Sequence, residues 1–259
     1  MSDLGRYDYI QARLQARHGQ RPDAAFWQRL GALRDLSLFL QTARTSGLRP
    51  WLEGISPDIQ PHRIEQLLRQ RFRSEAQLVA GWQPRAWKAA TDWIAFWVDL
   101  PALGALLRSE RPPDWMKNDP DYHSLAELPR EARAEALLQT PWAALAPRRG
   151  NTDDLRSVWF KEWKRRRPRD NTRNLAQVDR LAKALHTPRA GNEQPATSTA
   201  ADVAAREQWR SMLNFRFREL TRAPVSAMVY LFMIHQDMER LRGDLLQRRL
   251  FTTATTETT

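Results

Sequence analysis

Apolar residues recur along this chain at intervals of three and four, the spacing that stacks side chains on one face of an α-helix. Phe26, Leu30, Leu33 and Leu40 form one such stripe behind Asp23, a residue type suited to cap a helix N-terminus. Ile64, Leu68 and Phe72 form a second stripe, and Leu155, Trp159 and Trp163 a third. Trp209, Met212, Leu213, Phe217 and Leu220 make a longer one, with Arg206 and Arg210 off its face. Sustained apolar and polar alternation is absent, and no Asn-Gly or Asp-Gly pair marks a hairpin. The pattern predicts an all-α fold, a multi-helix bundle.

Two stretches interrupt the periodicity. Residues 109–124, SERPPDWMKNDPDYHS, carry three prolines among Asp and Asn, and residues 187–200, TPRAGNEQPATSTA, are rich in Pro, Gly, Ser and Thr. Both read as loops, and the Thr-rich 252–259 reads as a disordered tail. Between them an order of parts repeats. A Leu-Gln-Thr helix end at 40–42 precedes the stripe at 62–72 and a helix bearing Asp92; another at 138–140 precedes the stripe at 153–163 and a helix bearing Asp179. The expected organisation is a single all-helical domain over 1–251, built of about three pseudo-repeats, 1–108, 124–186 and 201–251.

Composition narrows the function. The 41 Lys plus Arg against 30 Asp plus Glu leave a formal charge of +11, a field that attracts nucleic acid, anionic lipid or an acidic protein. With no cysteine, disulfides, thiolate metal sites and a cysteine nucleophile are excluded. The first residues show no apolar core of a secretory signal, so the cytoplasm is the expected compartment. The longest strongly apolar run, 227–234, has 8 residues where a spanning helix needs roughly 20, so any membrane association is expected to be peripheral.

Signatures of catalysis are missing. Ten glycines yield neither GxGxxG nor a P-loop, and His18, His62, His123, His186 and His235 fall in no metal-ligand spacing. Asp153 and Asp154 stand directly before an apolar stripe, where carboxylates cap a helix and favour its dipole rather than form an acid/base pair. No catalytic residue, cofactor, metal or small-molecule substrate is expected.

The densest charge lies in 161–189, with ten Lys or Arg against Glu162, Asp170 and Asp179. Lys161, Lys164, Arg165, Arg166, Arg167 and Arg169 are the candidate partner-binding residues. Three readings stay open for them: a solvated helix face, contact with an acidic protein or anionic lipid headgroups, and nucleic-acid binding with Trp159 and Trp163 as stacking platforms. The i, i+4 spacing of those tryptophans predicts that they face inward.

The opening stretch YDYIQARLQA, residues 7–16, has the form Tyr-x-Tyr-x-x-Ala-Arg followed by a hydrophobic residue, carried by Tyr7, Tyr9, Ala12, Arg13 and Leu14. Leu40 with Thr42, Ile64 with Glu65, and a terminal helix carrying Pro224, Val225, Ala227, Glu239, Leu241 and Arg242 continue the pattern. In these residues, over about 6–250, the sequence resembles the C/d family of archaeal-type and vacuolar (V/A-type) rotary ATPases. Members of that family are longer, so the resemblance implies shortened middle and last units. It also implies a funnel-like bundle and a non-catalytic rotor adaptor that couples the central-stalk subunits to the membrane proteolipid ring. Tyr7, Tyr9 and Arg13 would then be structural, the tyrosines packing or capping the bundle and Arg13 pairing locally.

Overall fold

The computed structural model describes residues 3–146, 154–169, 172–186 and 200–256. They are mainly helical, with no strand among the described residues, so the fold is an all-α multi-helix bundle. The chain opens with α1 (Asp3–Gly19), α2 (Ala24–Ala32) and α3 (Leu36–Ala43). A 3-10 turn at Arg49–Leu52 leads into α4 (Pro61–Trp82). Next, α5 (Arg85–Asp92) runs through a 3-10 segment, Trp93–Asp99, into α6 (Leu100–Arg108). Short helices α7 (Asp114–Lys117), α8 (His123–Ala126) and α9 (Arg130–Ala136) follow. After 3-10 turns at Leu137–Gln139 and Ala143–Leu145 come α10 (Leu155–Arg165), α11 (Thr172–His186), α12 (Ala200–Glu219) and α13 (Pro224–Thr256).

Capping residues divide the chain as their chemistry dictates. Asp23 accepts from the Phe26 amide at 2.6 Å and starts α2, while Asp35 accepts from the Leu38 amide at 2.8 Å and starts α3. The single stripe read from Phe26 to Leu40 therefore divides between two helices, with Leu33 as the extended C-cap residue between them. Gly47, in the turn after α3, passes so close to the segment following α1 that a Cβ there would meet the Gln20 carbonyl oxygen at 2.0 Å. Only glycine allows that approach.

The centre of the bundle is α13. Every residue from Val225 to Ile234 is buried, which is what an apolar run without a polar face requires. It packs on α1, α3, α4, α11 and α12, and one buried cluster runs from Ile10 to Leu245. The α12–α13 turn reverses tightly: Arg222 takes a left-handed φ of 54°, and its side chain pairs with Asp8 of α1 at 2.6 Å.

Three expectations change. Residues 109–124 are not a plain loop: they contain α7, and Met116, Asp119 and Tyr122 are buried. Asp119 accepts from Arg69 of α4, and Tyr122 stacks on Trp142 with ring centroids 5.4 Å apart, so tertiary contacts fold a turn-rich composition into the core. Arg85–Arg108 is, by length and composition, apolar enough to cross a membrane, which the short 227–234 run did not foretell. Here it is α5, its 3-10 continuation and α6, with 61% of the apolar window buried inside the protein. Finally, α13 stays helical to Thr256, so the expected tail is corrected for 252–256, because each added residue gains a hydrogen bond from a helix already nucleated. Residues 257–259 and 187–199 lie outside the described residues. The two stripes read as counterparts sit on helices of unequal length, α4 having 22 residues and α10 having 11.

Candidate functional site

Local chemistry sets the orientation of α10. Asp154 accepts from the Ser157 amide at 2.8 Å and caps the helix; Asp153 lies outside the described residues. Leu155, Trp159 and Trp163 are 6%, 0% and 1% exposed, so the stripe faces inward. Trp163 Nε1 donates to the Ala90 carbonyl at 2.9 Å, and Trp93 Nε1 donates to the Trp159 carbonyl at 3.2 Å. These two indole bonds stitch α10 to α5 and its 3-10 continuation, and neither tryptophan of the stripe is left as a platform for a base. With the stripe buried, the helical period turns Lys161, Lys164 and Arg165 outward.

The six candidate residues have separate fates. Arg165 and Arg166 both pair with Glu162 at 2.7 Å, and the Arg166 guanidinium lies 4.3 Å from the centre of the Trp93 ring. The Arg165 hydrogen bond, then the Arg166 charge, hold the Glu162 carboxyl below its ordinary range. Arg167 pairs with Asp179 of α11 at 2.7 Å and is nearly buried. Lys161, Lys164 and Arg169 are exposed. Between α10 and α11 lies a cleft of about 260 Å³ lined by Phe160, Lys161, Trp163, Lys164, Arg167, Asp179, Ala182 and Lys183. Lys183 belongs to the same basic stretch, 161–189, but sits on α11 rather than α10, and the packing of the two helices brings it beside Lys161 and Lys164.

The opening helix forms a second candidate surface. Ile10 and Leu14 of α1 point into the core, and Tyr7, three residues before Ile10, packs partly buried on the same face. Tyr9 is 47% exposed, because its place beside Ile10 turns it off the core stripe. The expectation that both tyrosines pack into or cap the bundle is therefore corrected for Tyr9. The Arg13 guanidinium stands 4.9 Å from the centres of both the Tyr9 and Trp82 rings, joining α1 to the end of α4. Further along, Arg17 pairs with Glu75, which also accepts from Tyr230, while Arg21 pairs with Asp237 at 2.6 Å. Burial, then the Glu75 charge, raise the Tyr230 hydroxyl above its ordinary range.

A buried polar knot joins α4, the 3-10 segment after α5 and the residues around Tyr122 and Trp142. Asp99, fully buried, accepts from Arg73 of α4, from the Tyr122 hydroxyl at 2.9 Å and from Trp142 Nε1 at 3.1 Å. Burial opposes the Arg73 charge, but Asp99 and then Asp121 outweigh it and hold the guanidinium above its ordinary range. Burial, then Asp99, likewise raise the Tyr122 hydroxyl, which stays protonated and donating. Two other arginines satisfy helix ends. Arg133 donates to the carbonyls of Leu106, Leu128 and Ser109 at 2.8, 2.9 and 2.6 Å, and Arg248 to those of Leu33 and Gly31 at 2.7 and 3.1 Å. Sequence reasoning missed these contacts, since all but the Arg133–Leu128 bond join residues more than twenty positions apart; an Asp inside the apolar run FWVDLPAL was the one local signal.

Among the described residues no cluster of His, Asp or Glu has the makings of a metal site. Compared with known families, characterised proteins and solved structures, the chain matches no family model, no protein and no structure.

Proposed function

We propose that this chain is a non-catalytic rotor adaptor of the C/d kind, coupling the central stalk to the proteolipid ring of a rotary ATPase at the cytoplasmic face of the membrane and so supporting ion transport. One observation carries the reading: the residues that bear the resemblance, scattered from Tyr7 to Arg242, sit on α1, α3, α4 and α13, and α13 packs on the other three. Arg242 of the terminal element pairs with Glu65 of the Ile-Glu element at 2.9 Å and with its own neighbour Glu239 at 2.9 Å. The charges of Glu239 and then Glu65 raise the Arg242 guanidinium above its ordinary range, so the link stays charged. Leu40, Ile64, Val225, Ala227 and Leu241 are buried around the same helices.

A part that passes torque must resist shear between its helices, and ion pairs joining α1, α4 and α13 across a packed core supply such resistance. The positive surface suits acidic loops or anionic headgroups beside the ring. Nucleic-acid binding has less support, since Trp159 and Trp163 are buried and Arg165, Arg166 and Arg167 are paired within the protein. Co-expression with the central-stalk and proteolipid-ring subunits of the same genome, followed by pull-down, tests the proposal. Capture of both supports it, and capture of neither overturns it.

A further inference from the structure

We propose that the cleft between α10 and α11 is a docking site for an acidic segment of a partner protein, which inserts one bulky apolar side chain between the helices and sets carboxylates against the lysines of the rim. The inference goes beyond the rotor reading and does not depend on it.

Lysine usage is the first observation. Of the 41 basic residues 36 are arginine; the five lysines are Lys88, Lys117, Lys161, Lys164 and Lys183, and the last three line this one cleft. Arginine's planar fork suits the fixed internal contacts made around Asp99 and Arg133, whereas an ammonium is a compact point charge on a flexible stem that adapts to an incoming anion. Charge balance is the second. The lining holds four cations, Lys161, Lys164, Arg167 and Lys183, against one carboxylate, Asp179, so the cleft is positive as a whole.

Apolar lining and size point to the occupant. Phe160, Trp163 and Ala182 supply apolar lining beneath the lysines. At about 260 Å³ the cleft falls below the roughly 300–1,000 Å³ of sites that hold a whole small molecule, and it suits a single side chain. Negative residues flanking an aromatic or aliphatic anchor match this arrangement.

The test uses a fluorescein-labelled peptide with one phenylalanine flanked on both sides by glutamates, titrated with the full chain and read by fluorescence polarisation. Saturable binding is expected, with hydrogen-exchange protection confined to α10 and α11. Two variants that keep the circular dichroism spectrum, Lys161→Glu with Lys164→Glu, and Ala182→Trp to fill the cleft, should each weaken binding at least about tenfold. Lys88→Glu with Lys117→Glu should leave it unchanged, and replacing the peptide's phenylalanine by serine should abolish it. No saturable binding, equal binding by the cleft variants, or equal binding by the serine peptide overturns the proposal. So does binding only to phosphatidylglycerol vesicles or only to a single-stranded oligonucleotide.

Discussion

Around Asp99 the guanidinium of Arg73 and the neighbouring Arg69 are drawn into the protein against Asp99, Asp119 and Asp121, while between α10 and α11 three lysines stand around an open cleft. Both regions contribute to the same formal charge of +11, yet only the second leaves its cations at the surface. In the first, a planar cation reaches several acceptors and fixes how α4 meets the segment holding Asp119 and Tyr122. In the second, the tryptophan face of α10 takes the packing and the lysines stay outside it. A count of basic residues therefore does not say which cations stay at the surface; the fate of each one does.

The comparison predicts opposite responses to substitution. Asp99→Ala leaves Arg73 buried without its main carboxylate, and a loss of about 3–5 kcal/mol is expected in urea unfolding, the largest effect here. Arg133→Lys comes next: one ammonium cannot reach three carbonyls spread as Arg133 holds them, and about 1–3 kcal/mol should be lost. Asp154→Ala, at the cap of α10, should cost about 1 kcal/mol and lower the helical signal slightly. On the lysine side, Lys161→Ala with Lys164→Ala should stay within about 0.5 kcal/mol of the parent in the same assay. A large loss there would erase the distinction between the regions.

A smaller effect concerns pH. His18 stacks on Phe217 at 4.8 Å, and burial, then the Arg21 charge, hold its imidazolium below the ordinary value of 6.5. The folded state thus disfavours the protonated ring. Its contribution to stability is complete above pH 6.5 and is lost as pH falls below that value. Relative to the parent, His18→Gln should show a flatter decline of Tm on the acid side, read by thermal melts across pH.

The helical class was legible because the stripes at Leu155, Trp159 and Trp163 and at Trp209, Leu213 and Phe217 repeat locally, and Asp23 and Asp154 mark helix starts with their own side chains. Residues 109–124 were misread because Pro, Asp and Asn report local turn preference, whereas the burial of Asp119 and Tyr122 depends on Arg69 and Trp142, far off in sequence. The cleft was half legible: the dense run named Lys161 and Lys164, but Arg166 and Arg167 turned to internal partners. Lys183 joined the rim only through the packing of α11. Tyr9 shows the same limit at the scale of one helix position, since a motif of two tyrosines gave no sign that only Tyr7 faces the core.

The rotor proposal is tested most directly by native mass spectrometry of the chain co-purified with the central stalk and proteolipid ring. A single copy bound in an assembly that holds both neighbours is the predicted result. A chain that remains free, while stalk and ring associate without it, would contradict the account.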